Sequence, residues 1–259
     1  MIRKMSVAGS FYPYKGEEII STFEYFHHIV THKFPNSFHS KVAKALIVPH
    51  AGYVYSGFSA NLAFENVGFI PKRVVIIGPS HKVAFEGKSI IPFEAYETPL
   101  GELKGDVSFV EELKKKFDFN PLVAAHAEHA TEVQFPFIKH FFPETKIVEI
   151  VYGFHPKLEP LIEEILNLDE TLLLISTDLS HFYSQEEANV LDAYCIQGME
   201  DLDEKILFKG EACGMQGLIA LLHVSKKLSL KIESIDYRTS GDITGDKSRV
   251  VGYYSAIVY

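Results

Sequence analysis

Histidine changes charge near neutrality and is the commonest metal ligand, and this 259-residue chain carries 12 of them. Three follow apolar runs within a few residues: His50 in LIVPHAGYVYSG, His81 in IIGPSHK and His181 in ISTDLSHF. In open α/β sheets ligands gather beyond the C-terminal ends of the strands, so parallel neighbouring strands would bring these imidazoles to one rim. Taken singly, a histidine after a strand is usually a capping or hydrogen-bonding residue; the joint pattern points to a site. Pro49, Ala51 and Gly52 surround His50, and Gly78, Pro79 and Ser80 precede His81. The glycines let backbone approach a ligand closely. Asp178 lies three residues before His181, a spacing that puts both on one face of a helical turn. There it could orient the imidazole, ligate a metal or raise the imidazole's pKa. The competing role is a cap from Ser176, Thr177 or Asp178 on a following helix. Cys213, in GEACGMQGLIALL, precedes a strong helical pattern, where the helix dipole lowers a thiol's pKa. Two imidazoles and a thiolate suit iron, copper or zinc better than magnesium or calcium. Three protein ligands leave the open position of a catalytic metal.

The segment HAEHATEVQFPF (126–137) holds His126, Glu128, His129 and Glu132. Its H-x-x-H resembles metal-ligand spacing but lacks the H-E-x-x-H of zinc proteases. An acidic first helical turn accounts for Glu128 and Glu132. Cys195 reads as a small buried hydrophobe, and Phe11, Tyr12 and Tyr14 read as core packing or a pocket wall, with core packing favoured. His27, His28, His32 and His39 belong to an N-terminal helix and its exit, and His140, His155 and His223 to polar or helical stretches. His126 is left unassigned.

These side chains must be placed by alternating elements. Apolar, β-branched runs at 45–48, 74–77, 89–92, 146–151, 172–176, 232–237 and 250–258 predict strands. The first two and 172–176 are continuous, as expected for strands covered on both faces. Helical patterns occupy 16 to about 30, 58–66, 107–119, 158–166, 184–198 and 215–227, with a capping box from Ser184 to Glu187. A further helical segment starts at Thr131, limited by Pro136 to a first turn or a kink. The stretch 241–255 reads as a loop running into a strand, with no phosphate-binding glycine pattern. Strands alternating with helices predict an α/β fold with a mixed, largely parallel sheet.

Composition narrows the function. Hydrophobic residues make up 47% and charged residues 23%, which is globular rather than disordered. With 25 Lys+Arg against 34 Asp+Glu the net charge is −9, which disfavours a nucleic-acid partner held by phosphate neutralisation. Two cysteines favour a reducing, cytoplasmic compartment. The first 18 residues lack a signal peptide's apolar region, and no apolar run approaches the roughly 20 residues that span a bilayer.

The ordered series AGSFYP (8–13), VPHAGYVYSG (48–57), IGPSHK (77–82), EHATEVQFPF (128–137), STDLSHF (176–182), ACGMQG (212–217) and DITGDKSRVVGYYS (242–255) resembles the Memo family. That family is related in fold to class III extradiol ring-cleavage dioxygenases of the LigB type. The resemblance implies a single α/β domain over residues 1–259, with a central mixed, largely parallel sheet flanked by helices. It implies a metal held by His50, His81 and Cys213, with Fe(II) first and copper or zinc as alternatives. Asp178, His181 and His129 are then the catalytic candidates around it. Ring-cleaving dioxygenases use a carboxylate as third ligand; a thiolate there changes the metal's charge and can itself be oxidised, so the reaction does not follow from the fold. The resemblance also implies a functional link to radical-SAM and AMMECR-type proteins. A homodimer is compatible with the helix patterns.

Three functions compete. The first is a metal-dependent oxidoreductase acting on a small molecule. The second is a non-catalytic module binding a small ligand or a peptide; the acidic balance disfavours a phosphopeptide, which normally calls for arginines. The third is a hydrolase with Cys213 as nucleophile, His181 as base and Asp178 as its orienter.

Overall fold

The computed structural model describes residues 1–33 and 42–259; His39 lies outside them. Its strands are β1 (Ile2–Arg3), β2 (Ala45–Val48), β3 (Arg73–Pro79), β4 (Lys88–Ile90), β5 (Ala95–Tyr96) and β6 (Leu103–Gly105), followed by β7 (Lys146–Tyr152), β8 (Thr171–Ser176), β9 (His181–Tyr183), β10 (Ile232–Thr239) and β11 (Val250–Val258). The helices are α1 (Gly16–Lys33), α2 (Tyr53–Glu65), α3 (Val107–Lys116), α4 (His129–Glu132), α5 (Phe135–Phe141), α6 (Glu159–Leu166), α7 (Gln185–Glu200), α8 (Glu204–Leu207), α9 (Met215–Leu228) and α10 (Ser240–Thr244).

The continuous apolar runs form the middle of the sheet. β3 lies between β7 and β8, parallel to both, and β2 continues the parallel set beyond β8. β11 adds antiparallel to β2 and β10 antiparallel to β11. On the other side β6 runs parallel to β7, β5 pairs antiparallel with β6, and β1 closes that edge parallel to β5. Successive strand residues alternate between two helical layers, as the period-2 pleat requires. Leu46, Val48, Val74, Ile76, Leu172 and Leu174 enter one core; Ile47, Val75, Ile77, Leu173 and Ile175 enter the other. The first core is aromatic: Phe137 stacks on Phe64 at 5.2 Å and on Phe23 at 4.7 Å, joining α1, α2 and α5. The fold is thus a single α/β domain with a mixed, largely parallel sheet, as the sequence predicts.

Boundaries differ where side-chain pattern is a weak guide. α2 starts at Tyr53 rather than residue 58 because it is buried along most of its length, which erases amphipathic contrast. Pro136 sits in the first turn of α5, separating it from the one-turn α4. The short strands β1, β5, β6 and β9 carry too few residues to show a period. Part of the expected 241–255 loop is α10, whose capping box joins Thr239 and Asp242.

The edge is secured by buried charge. Arg3 of β1 reaches Glu132 of α4 at 2.8 Å and Glu149 of β7 at 3.7 Å. Glu132 also accepts from the Ser6 and Val7 amides and the Tyr12 hydroxyl. His126 lies 2.8 Å from the second carboxylate, Glu149. Burial alone would push the Glu149 carboxyl up, but the charges of His126 and Arg3 and the His126 and Thr131 hydrogen bonds hold it low. Removing one partner of a buried ion pair strands the other charge. Arg3→Leu should therefore cost about 3–5 kcal/mol, measured by urea unfolding; a loss below about 1 kcal/mol, the range of exposed pairs, would show that Arg3 does not neutralise these carboxylates.

Candidate metal centre

Register brings the site together. Val48 of β2 pairs with Ser176 of β8, and Ile77 of β3 pairs with Ile175 of β8, so these parallel strands end at nearly the same height. His50, Asp178 and His81 each follow their strand's last residue by two positions. α4 then sets His129 against them. Ring centroids lie 5.2 Å apart for His50–His81, 5.4 Å for His50–His129 and 4.6 Å for His81–His129.

Cys213 arrives from the turn before α9. Its Sγ lies 3.2 Å from His50 Nε2, and the Asp178 amide donates to it at 3.2 Å. Gly214 is what permits that approach: a Cβ there would meet the Thr177 side chain at 2.6 Å. Ligand atoms of His50, His81 and Cys213 fall within 4.8 Å of one another.

Hydrogen bonds decide which ring nitrogens face inward. The Ser176 hydroxyl gives its proton to the Ala130 carbonyl at 2.5 Å. Its oxygen is then the acceptor for His50 Nδ1 at 3.1 Å, leaving the His50 Nε2 lone pair toward Cys213. Glu128 does the same for two rings. Its Oε1 lies 3.1 Å from His81 Nδ1 and 2.8 Å from His129 Nδ1, and its Oε2 accepts from the His81 amide at 2.6 Å. Such carboxylate and hydroxyl partners fix the tautomer and orient the ring of a metal-binding histidine. A second cluster of ligand atoms, on His81, Glu128 and His129, is this hydrogen-bonded arrangement itself.

Electrostatics follow from burial. His50 is held well below its usual pKa by burial and by the positive charges of His81 and His129, so it is a neutral donor. Burial would raise the Glu128 carboxyl, but hydrogen bonds from His129, His81 and backbone amides outweigh it and hold the carboxyl far below its usual range. Asp178 is pushed up to about 6, chiefly by burial, against the lowering effect of the His50 amide and the neighbouring histidines. That places its titration near neutrality, as proton transfer requires. Cys213 is pushed up to about 12 by burial and the Asp178 charge. The expected lowering by the α9 dipole is therefore overturned: without a metal, the thiol keeps its proton.

The structure brings together His50, His81, His129, Cys213 and Asp178 of the sequence candidates. His181 stands slightly apart. Residues 177–180 contain no helical turn, and His181 opens β9, so the one-face arrangement of Asp178 and His181 does not form. His181 acts on His50, Asp178 and Asp192 through charge. Nor does a cap on the next helix come from 176–178: Ser184 caps α7 through the expected box. The H-x-x-H pair splits, with His126 buried against Glu149 and His129 in the site. Glu128 and Glu132 do form the acidic start of α4, with Glu128 as its N-cap accepting from the Ala130 amide, and both are in addition fully buried. Glu128 is the site residue that the sequence reasoning missed; its position directly before His129 was the available signal. Phe11 takes both roles, packing against the first core and setting its ring 4.6 Å from His129, whereas Tyr14 is exposed. A cleft of about 510 Å³, lined in part by His81, Lys82, Tyr152, Phe154, Cys213 and Gln216, opens beside the cluster.

Residues 3–257 match the model of the Memo-like protein family. A MEMO1 family protein of Methanocaldococcus jannaschii is 38% identical, with 99% of both chains covered. Others from Methanobrevibacter smithii and Aquifex aeolicus are 36% and 34% identical, over 99% of this chain and 99% and 98% of theirs. The chain belongs to the Memo family.

Because the folded Asp178 carboxyl sits at about 6 rather than 3.8, the native state binds its proton more tightly than the unfolded state. Its contribution to stability is therefore lost as pH rises between those values. In metal-free protein, Asp178→Asn should gain stability relative to the parent across that window, read from urea midpoints. A difference that stays constant with pH would contradict this.

Proposed function

We propose that the chain is a metal-dependent oxidoreductase acting on a small molecule, with His50, His81 and Cys213 holding the metal. The observation that carries this reading is the orientation of the donors: Ser176 and Glu128 occupy the Nδ1 atoms of His50 and His81, so both Nε2 atoms are free to bind an ion near the Cys213 sulfur. Two imidazoles and one sulfur suit iron, copper or zinc, and the resemblance to the Memo family puts Fe(II) first among them. A bound redox-active metal would supply electron exchange with a substrate at an open coordination position.

The protein's own groups have separate tasks. His50, neutral because it is buried, needs to lose no proton on binding the ion; Cys213 must lose its thiol proton. Asp178, titrating near neutrality beside them, is the group to take or return a proton. His129 and His181 set the charge around Asp178. The open cleft at His81 and Cys213 admits a small molecule. A Cys213-nucleophile hydrolase is disfavoured on two counts: the thiol is pushed up to about 12, and the imidazole hydrogen-bonded to it is the weakly basic His50 rather than the expected base His181. The free cysteines support a reducing, cytoplasmic setting. Among the described residues no helix is long and apolar enough to cross a membrane.

Elemental analysis of anaerobically purified protein tests the reading. About one metal per chain should be present in the parent and absent from a His50→Ala/His81→Ala variant whose circular dichroism is unchanged. Glu128→Gln should weaken metal binding by about 10–100-fold, the usual effect of losing a partner that orients a ligand. Equal metal content in parent and double variant would overturn the proposal. Oxygen uptake with candidate small molecules then tests the oxidoreductase half: metal without turnover would leave a binding module.

A further inference from the structure

Helix α1 carries three histidines that stand outside the site, and two of them meet. His28 and His32 are four residues apart and so share one face of the helix. Both are exposed, and their ring centroids lie 4.0 Å apart at an interplanar angle of 38°. His27, the third, turns to α2 instead, where its Nδ1 pairs with Glu65 at 3.2 Å. Among the described residues no carboxylate pairs with His28 or His32.

The helix itself sets the orientation of the His32 ring. Its Nδ1 lies 2.8 Å from the His28 carbonyl oxygen and 3.2 Å from Thr31 Oγ1. A carbonyl only accepts, so Nδ1 carries the ring proton and donates it. Thr31 gives its own proton to the His27 and His28 carbonyls, at 3.0 and 3.1 Å, so its oxygen is an acceptor for the ring as well. The lone pair of the neutral ring is then on Nε2, across the ring from the backbone. Histidines that bind metals are held in the same way, donating the other ring N–H to a carbonyl or carboxylate.

We infer that His28 and His32 form a second, solvent-facing metal site that chelates a divalent transition-metal ion through His32 Nε2 and one nitrogen of His28, with water completing the coordination. Imidazole suits nickel, copper and zinc, and ring spacing chooses among them. With metal–nitrogen bonds of about 2.0–2.1 Å, rings sharing an ion at right angles have centroids about 4.5 Å apart, and at the tetrahedral angle about 5.2 Å. From 4.0 Å, the right-angle arrangement needs the smaller movement. It belongs to square-planar or octahedral ions such as Ni(II) and Cu(II) rather than to tetrahedral Zn(II). The pair shares no residue with the His50, His81 and Cys213 cluster, and the inference does not depend on the reading of that centre.

Ni(II) is the probe, titrated into the ¹⁵N-labelled full-length protein and followed by the loss of amide signals that the paramagnetic ion broadens. Broadening should saturate and should include a patch centred on residues 28–32, whether or not the metal centre also takes the ion. His28→Ala and His32→Ala, both at exposed positions where folding is preserved, each leave a single imidazole. Each should weaken Ni(II) at this patch by about tenfold or more, because the second bond of a chelate forms intramolecularly. His27→Ala should leave the affinity unchanged. Zn(II), followed by amide shifts at the same residues, should bind more weakly than Ni(II). Broadening confined to the neighbourhood of His50, His81 and Cys213, or binding at residues 28–32 that survives either single substitution, would overturn the proposal.

Discussion

One buried carboxylate organises the rim of the sheet. Glu128 is fully enclosed, and an ionised group there is tolerated only if its oxygens are filled with donors. The His81 and His129 side chains and the His81 and Ala130 amides provide them. Those bonds fix the loop after β3 against the start of α4, and the same bonds turn both imidazoles. Stability and site geometry therefore share a cause. The arrangement also explains why His129, outside the trio with Cys213, stays in ring contact with both histidines of that trio.

A second set of buried charges lies behind the first. Arg3 donates to the Glu128 carbonyl at 3.3 Å while pairing with Glu132 and Glu149. The backbone of Glu128 is thus tied to the N-terminal strand, and its side chain to the site. Tyr12 and Phe11 come from the same N-terminal segment, one hydrogen-bonded to Glu132 and the other packed on His129. A single stretch, 128–132, therefore links the edge of the sheet to the candidate metal ligands. The Cys213 side of the site is held differently, by close backbone contact: the Cys213 amide donates to the Asp178 carbonyl, and the Gly214 amide donates to the Thr177 hydroxyl at 2.9 Å.

Much of this was legible in the sequence because the central strands are covered on both faces. Their unbroken apolar runs mark β2, β3 and β8, and the rule that ligands lie beyond such strands then selects His50 and His81. Cys213 could be picked out by its glycine-flanked place before a helix. What stayed hidden depends on long-range partners. Glu128 looks like any helix-starting acid until His81, 47 residues earlier in the chain, is placed against it. His126 and His129 share one motif yet serve separate networks, because the turn between Val123 and His126 aims one ring at Glu149 and α4 aims the other at the site. The raised Cys213 thiol reflects burial, which a helix-dipole argument alone does not contain. Asp178 and His181 were linked by helical spacing, but residues 177–180 form no helical turn, so only their charges meet.

In the proposed site, two imidazoles and one thiolate of this chain bind a single ion. X-ray absorption of the zinc-substituted protein, chosen because zinc is redox-silent, measures that donor set directly. One sulfur scatterer at about 2.3 Å and nitrogen scatterers at about 2.0–2.1 Å are expected, with the sulfur shell lost in Cys213→Ser. A shell of nitrogen and oxygen alone in the parent protein would contradict it.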